Sequence, residues 1–268
     1  MKKIRLKVQI LISVLIIACL GLTFIYGSII KRHLIRKSFA QSNIEIYQNN
    51  IEHIFKVEKI ILCSSANAID LSEEQNLQNL SIYQYTDIAI YISNGEELSN
   101  KNTVSKLYID NISLEGANNI GTKSLNYKNM LNFGLKEEIK ECQETDEINF
   151  NIIHTNEENE TTNYDEATFF TDCSNPITLE YLNYDLTTGY KMDENKSVGF
   201  DGSILKDAGI SKSEIECKIR FRINIINNDN EKYSYWMNFK LPLSGIYDGT
   251  TMKTKTTDSD EYIFFREY

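Results

Sequence analysis

The sequence predicts a mainly β protein: a transmembrane helix and helical stalk at the N-terminus, then an antiparallel β-sandwich or jelly-roll-like domain. Three observations carry that expectation. An uncharged apolar run fills residues 8–30. Two long segments near the C-terminus place apolar residues at every second position. No long amphipathic helices alternate with the remaining strand-like segments, which points to antiparallel rather than parallel sheets.

Residues 1–7 form a basic tail carrying Lys2, Lys3, Arg5 and Lys7. From Val8 to Ile30 there is no charge, and Ile10-Leu11-Ile12-Ser13-Val14-Leu15-Ile16-Ile17 is almost wholly aliphatic. As a helix this stretch would rise roughly 34 Å, enough for a hydrocarbon core of about 30 Å. A helix is the expected form, because lipid offers backbone groups no partner. Tyr26 suits the interface at one end. The run is too long for a cleaved signal peptide, and no small-x-small site leads into polar sequence. Its competitor is lipidation at Cys19, since Ile16-Ile17-Ala18-Cys19 resembles a bacterial lipobox. Mostly apolar residues continue after Cys19, however, where lipoproteins turn polar. Four positive charges flank the run on each side, so charge asymmetry does not set direction. A short basic N-terminal tail kept inside places the large domain outside a cell membrane.

Residues 31–75 read as a basic juxtamembrane segment (Lys31, Arg32, Arg36, Lys37) and a helical stalk. Ile44, Tyr47, Ile51, Ile54 and Ile61 recur at spacings of three, four or seven, one face of a helix. Too few heptads follow for a coiled coil, so the stalk is expected to pack on its own domain.

The acidic β-rich domain is assigned to residues 80–268. Asp87 to Ile92 reads as a strand ending at Asn94-Gly95, a turn signal. Lys106–Ile109 and Ile112–Leu114 form further apolar patches, and Glu147–Ile152 alternates. Residues 134–147 are acid-rich and read as a solvated helix or loop. Ala167–Thr171, Ile177–Leu182 and Tyr262–Phe265 add strands, with a short helical turn within Ser203–Ile210. The strongest signal is Ile215, Cys217, Ile219, Phe221, Ile223 and Ile225 at alternate positions, with Glu216, Lys218, Arg220, Arg222 and Asn224 between them. Tyr233, Tyr235, Met237, Phe239 and Leu241 repeat it after a polar loop. Alternate side chains of a strand point to opposite faces, so this is a hairpin with one face on a core and one in water. Pro242 ends the second strand.

Beyond Lys37 lie all 38 acidic residues but only 20 of the 28 lysines and arginines, a net charge of −18. Nucleic acid is excluded as an expected partner, since its phosphates need a basic face. No CxxC pair occurs and there are 3 histidines, so no zinc site is expected, and no other cofactor or metal is assigned. The acidic clusters Asp193-Glu194-Asn195, Asp229-Asn230-Glu231 and Asp258-Ser259-Asp260-Glu261 read as solvated loops, with an irregular calcium site as the alternative. Cys63, Cys142, Cys173 and Cys217 are candidate disulfide cysteines if the domain is exported; buried thiols are the alternative.

Motifs that could carry chemistry fail on their context. Leu241-Pro242-Leu243-Ser244-Gly245 resembles a sorting signal but is followed by polar, acidic sequence. Ser203-Ile204-Leu205-Lys206 matches S-x-x-K without its partner motifs. An EF-hand counted from Asp193 would place Val198 and Ile204 where Gly and a carboxylate are needed. A Cys–His nucleophile would have to join Cys173 or Cys142 to His154. Trp236 falls on the polar face of its strand, a candidate exposed aromatic contact, for instance for a glycan. A covering loop or the stalk is its alternative.

The layout of tail, membrane helix, stalk and β domain is shared by many Gram-positive surface proteins, an analogy at the level of architecture. The expectation is a non-enzymatic, single-pass protein held in the bilayer through residues 8–30, binding or assembling with an envelope protein or glycan. The alternatives are a membrane-bound Cys- or metal-dependent hydrolase and a structural subunit of a surface assembly.

Overall fold

The computed structural model describes residue 27 and residues 30–38, 54–70, 80–95, 99–116, 120–128, 146–154, 166–191, 199–257 and 262–267. The chain divides into two compact units, Met1–Glu52 and His53–Tyr268. In the first, residues 30–38 are helical (α1), with Ile30, Leu34 and Ile35 exposed. Among the described residues no helix is long and apolar enough to cross a membrane. The basic tail, Cys19 and all but Gly27 and Ile30 of the expected span lie outside the described residues, as do most of the stalk's periodic positions.

The second unit is mainly β, with two sheets. Sheet A contains β1 (Lys56–Asp70), β2 (Leu80–Ser93), β4 (Thr122–Tyr127), β7 (Ile177–Tyr190) and β10 (Thr251–Thr256), in the order β10-β1-β2-β7-β4. Sheet B contains β3 (Val104–Gly116), β5 (Ile148–Ile153), β6 (Thr168–Phe170), β8 (Cys217–Asn227), β9 (Lys232–Leu241) and β11 (Phe265–Glu267), in the order β11-β9-β8-β3-β5-β6. Every pairing is antiparallel except β5 with β6.

β1 corrects the sequence reading. Lys56–Asp70 is not stalk helix but a strand paired along its length with β2 and, over Lys59–Ser64, with β10. The strand domain therefore begins with β1 rather than at residue 80. Within this stretch Ile61 alone continued the helical spacing. The real period is two: Ile60, Leu62, Ser64 and Ala66 are buried on one face. Small polar Ser64 and a register shift between Val57 and Lys59 hid that alternation. Ile215 is a lesser correction. It lies in the short helix α3 (Lys212–Ile215), where Ser211 and Glu214 form a capping box, and the alternating strand starts at Cys217.

The main core lies between the sheets. Ile60, Leu62, Ile88, Ile90 and Leu179 of sheet A share it with Leu107, Ile109, Ile219, Phe221, Ile223 and Met237 of sheet B. Such burial yields about 25 cal/mol per Å² of apolar surface removed from water. Sheet A runs on beyond this core. Its far end, around Ala66, Leu80 and Ile82, is covered by Ile204 and Leu205 of α2 (Ser203–Asp207), Ile215 of α3 and Ile246. Gly202 seats α2 on the connection between β9 and β10. A Cβ there would stand 1.9 Å from the Ile246 carbonyl oxygen, so no side chain fits. At that connection the chain leaves sheet B after β9 and joins sheet A as β10.

Candidate functional site

Three places gather chemistry in the described residues, and two are internal to the fold. On the outer side of sheet A, Lys128 is buried with its Nζ 2.8 Å from both Asp87 Oδ1 and Glu180 Oε1. Asp87 and Glu180 are register partners on β2 and β7, so two adjacent carboxylates face one cation. Those carboxylates outweigh the desolvation of the ammonium and hold the lysine charged well above its usual range. On the inner side, Gln84 Oε1 and both amide atoms of Asn183, cross-strand neighbours, are buried without hydrogen-bond partners.

The third place is the edge where β9 and β10 face one another. β10 pairs with β1 and with no other described strand. Its Lys253 and Lys255 are the register partners of Leu62 and Ile60. Cross-strand partners share a face, and Ile60 and Leu62 face the core. Both lysines are therefore on the inter-sheet face, at the row where an apolar core would otherwise continue. Both residues are exposed, and neither has a carboxylate within ion-pair distance among the described residues. Lys255 Nζ lies 4.4 Å from the centre of the Tyr262 ring.

Across from β10, β9 is paired with β8 from Lys232 to Leu241 but with β11 only over Lys232–Ser234. From Trp236 to Leu241 no described strand occupies its second edge. The tail does not continue along it: Ile263 crosses to bridge Lys56 on β1, and Tyr262 sets its ring 6.1 Å from that of Tyr235. The tail thus closes one end of the gap, and the β9–β10 connection with Leu243 closes the other. Between them is a cleft of about 430 Å³.

The lining of that cleft states its geometry. From β1 and β10 only alternate residues contribute: Ile60 and Leu62, Lys253 and Lys255. From β9 every residue from Tyr235 to Lys240 contributes. A strand lends alternate residues when it shows a face and consecutive residues when it shows its edge. The cleft is floored by the inner face of sheet A and walled by the backbone edge of β9. Buried Ile60, Leu62, Met237 and Leu243 make it apolar within, and the lysines make its mouth positive in an acidic domain.

Trp236 lies on this same stretch, on the outer side, and is 38 % exposed. The Arg220 guanidinium carbon stands 4.0 Å from its ring centre, a cation–π contact that occupies one ring face. Cys63, Cys173 and Cys217 are free thiols on β1, in the turn after β6 and at the start of β8; Cys142 lies outside the described residues. Burial pushes the Cys173 thiol up to about 12, with Asp172 adding to it. Burial also raises Cys63, with Asp87 adding to it, and raises Cys217. Thiols held protonated are poor nucleophiles. His154 is exposed at the end of β5. Among the described residues no three His, Cys, Asp or Glu side chains are placed to hold a metal.

Lys253 and Lys255 were not read as site residues from sequence. Their signal is the alternation Thr251-Met252-Lys253-Thr254-Lys255-Thr256, a strand pattern without an apolar face. Comparison with protein-family models, curated proteins and solved structures finds no match for this chain.

Proposed function

We propose that this chain is a membrane-tethered, non-enzymatic binding module that holds an anionic component of the cell envelope at the β9–β10 cleft. The tether rests on the apolar run at residues 8–30, and the outside position of the domain on a short basic N-terminal tail that stays inside. The observation that carries the binding reading is the pair of inter-sheet lysines, without carboxylate partners among the described residues, over an apolar floor. The two lysines set a local positive pair beside apolar side chains in a domain of net negative charge, which favours an anionic ligand with an apolar or extended backbone portion.

The chain has a single tryptophan, and it borders the cleft. The full chain in lipid nanodiscs would be titrated with two probes while Trp236 emission is followed. One is the acetylated peptide Thr-Glu-Thr-Glu-Thr-Glu-Thr and the other a soluble polygalacturonate oligosaccharide. A saturable change with either probe, lost in the Lys253→Glu, Lys255→Glu double variant, supports the reading. No change with both probes, or a change indifferent to the double variant, contradicts it.

A further inference from the structure

We infer that the occupant of the cleft is one extended strand of a partner protein, added to the edge of β9 and carrying two carboxylates two residues apart on its inward face. The inference rests on the binding reading above and specifies its ligand.

The geometry comes from how sheet B ends. β11 covers the first three residues of β9 and then departs, and no described strand lies in the row beside β9 from Trp236 onward. A strand in that row would continue the line of β11. It would find the backbone groups of β9 that no described strand uses, which is the chemistry of strand addition. Six residues at about 3.3 Å each span roughly 20 Å, one ordinary strand. Tyr262 at one end and Leu243 at the other bound the row, so a short segment fits and a long one must bend away.

The side-chain code follows from the pleat. Inward positions of the added strand face sheet A, where β10 presents Lys253 and Lys255. These lysines are two residues apart, the repeat of one face of a strand. An incoming Glu-x-Glu or Asp-x-Asp with both acids inward matches each lysine with one carboxylate. The same lysines act against other partners. An inward lysine on an edge strand repels apolar strands, a device against indiscriminate edge pairing. Selectivity for an acidic strand and rejection of an apolar one are two results of the same two charges.

The test uses the full chain in nanodiscs with the Thr-Glu heptapeptide, its Thr-Lys counterpart and a copy of the first with N-methylated backbone amides. The N-methyl copy keeps the side chains but cannot pair as a strand. Amide hydrogen exchange over β9 and Trp236 emission are both read. Expected are binding of the Thr-Glu peptide alone, new protection within Trp236–Lys240, and weakening of at least about tenfold in the Lys253→Glu, Lys255→Glu variant. Circular dichroism and unchanged exchange in β8 check that the variant is folded. Equal binding by the N-methyl copy, or binding without protection of β9, overturns strand addition while leaving an anion-binding cleft. Binding of polygalacturonate but not of the peptide does the same. Silence from both the peptide and the glycan removes this inference and the binding reading together. Concentration-dependent self-association abolished by the double variant overturns the choice of partner, because the strand would then come from a second copy.

Discussion

Lys128 and the pair Lys253 and Lys255 show what the same side chain does in two settings. Lys128 is buried, with two carboxylates at 2.8 Å on adjacent strands. Its charge is compensated within the domain, and it ties the end of β4 to β2 and β7. Lys253 and Lys255 stand over the core's margin with no described carboxylate in reach, on the last strand of the same sheet. Compensated charge closes one part of the sandwich; lysines with no carboxylate partner among the described residues border the cleft in another. A domain stabilised only for its own sake would continue the apolar row into β10. Lysines there cost packing and supply a positive mouth, which is why the cleft and not the Lys128 cluster reads as the site.

The contrast breaks hardest at Lys128. Lys128→Met leaves Asp87 and Glu180 without their shared cation and should cost about 3–5 kcal/mol in chemical denaturation. Neutralising both acids in that background should recover much of the loss. Next is Gly202→Ala, which drives a methyl into the carbonyls of Ile246 and Gly249. It should destabilise by about 1–3 kcal/mol and disturb the β9–β10 connection that bounds the cleft.

Asp110 on β3 gives a smaller, pH-dependent effect. Its two oxygens accept bonds of 2.9 and 2.8 Å from Arg222, which hold the carboxyl down at about 2 from an ordinary 3.8. A carboxyl lowered on folding stabilises above its unfolded value and loses that contribution as pH falls toward the folded one. The wild type should therefore exceed Asp110→Asn in stability above about pH 4, with the difference shrinking as pH falls and gone only below about pH 2. The smallest effect belongs to the open edge. Lys253→Ala with Lys255→Ala should change stability by no more than about 0.5 kcal/mol, because both are exposed and make no ion pair among the described residues. A cost near that of Lys128→Met would show that these lysines are structural after all.

What could be read from sequence follows the strength of local alternation. The β8–β9 hairpin was legible within about two residues because every second side chain is large and apolar and the intervening ones are charged. Ile223 indeed sits opposite Tyr235, as that pattern requires. β1 was not legible, since Ser64 and Ala66 supply its buried face with small residues and Ile44 to Ile54 suggest a helix just before it. β4 and β10 went unread for a related reason: Thr122–Tyr127 offers only Leu125 and Tyr127 to the core, and Thr251–Thr256 alternates threonine with lysine and has Met252 as its one apolar side chain. The cleft depends on pairing across nearly the whole domain, Ile60 with Lys255 and Leu62 with Lys253. Local periodicity holds no record of such a distant register. Trp236 was legible as outward, but the Arg220 that covers one face of its ring belongs to the neighbouring strand.

On the proposed reading, β9 keeps one edge open from Trp236 to Leu241, and binding occurs at this edge. Residue-resolved hydrogen exchange on the full chain tests it most directly, with Lys232–Ser234, flanked by β8 and β11, as the internal standard. With the edge open, alternate amides between Trp236 and Lys240, those directed away from β8, exchange fast in the unbound chain. They should slow when the Thr-Glu heptapeptide is added. Protection of all these amides in the unbound chain, equal to that of Lys232–Ser234, would mean that the edge is already occupied and would contradict it.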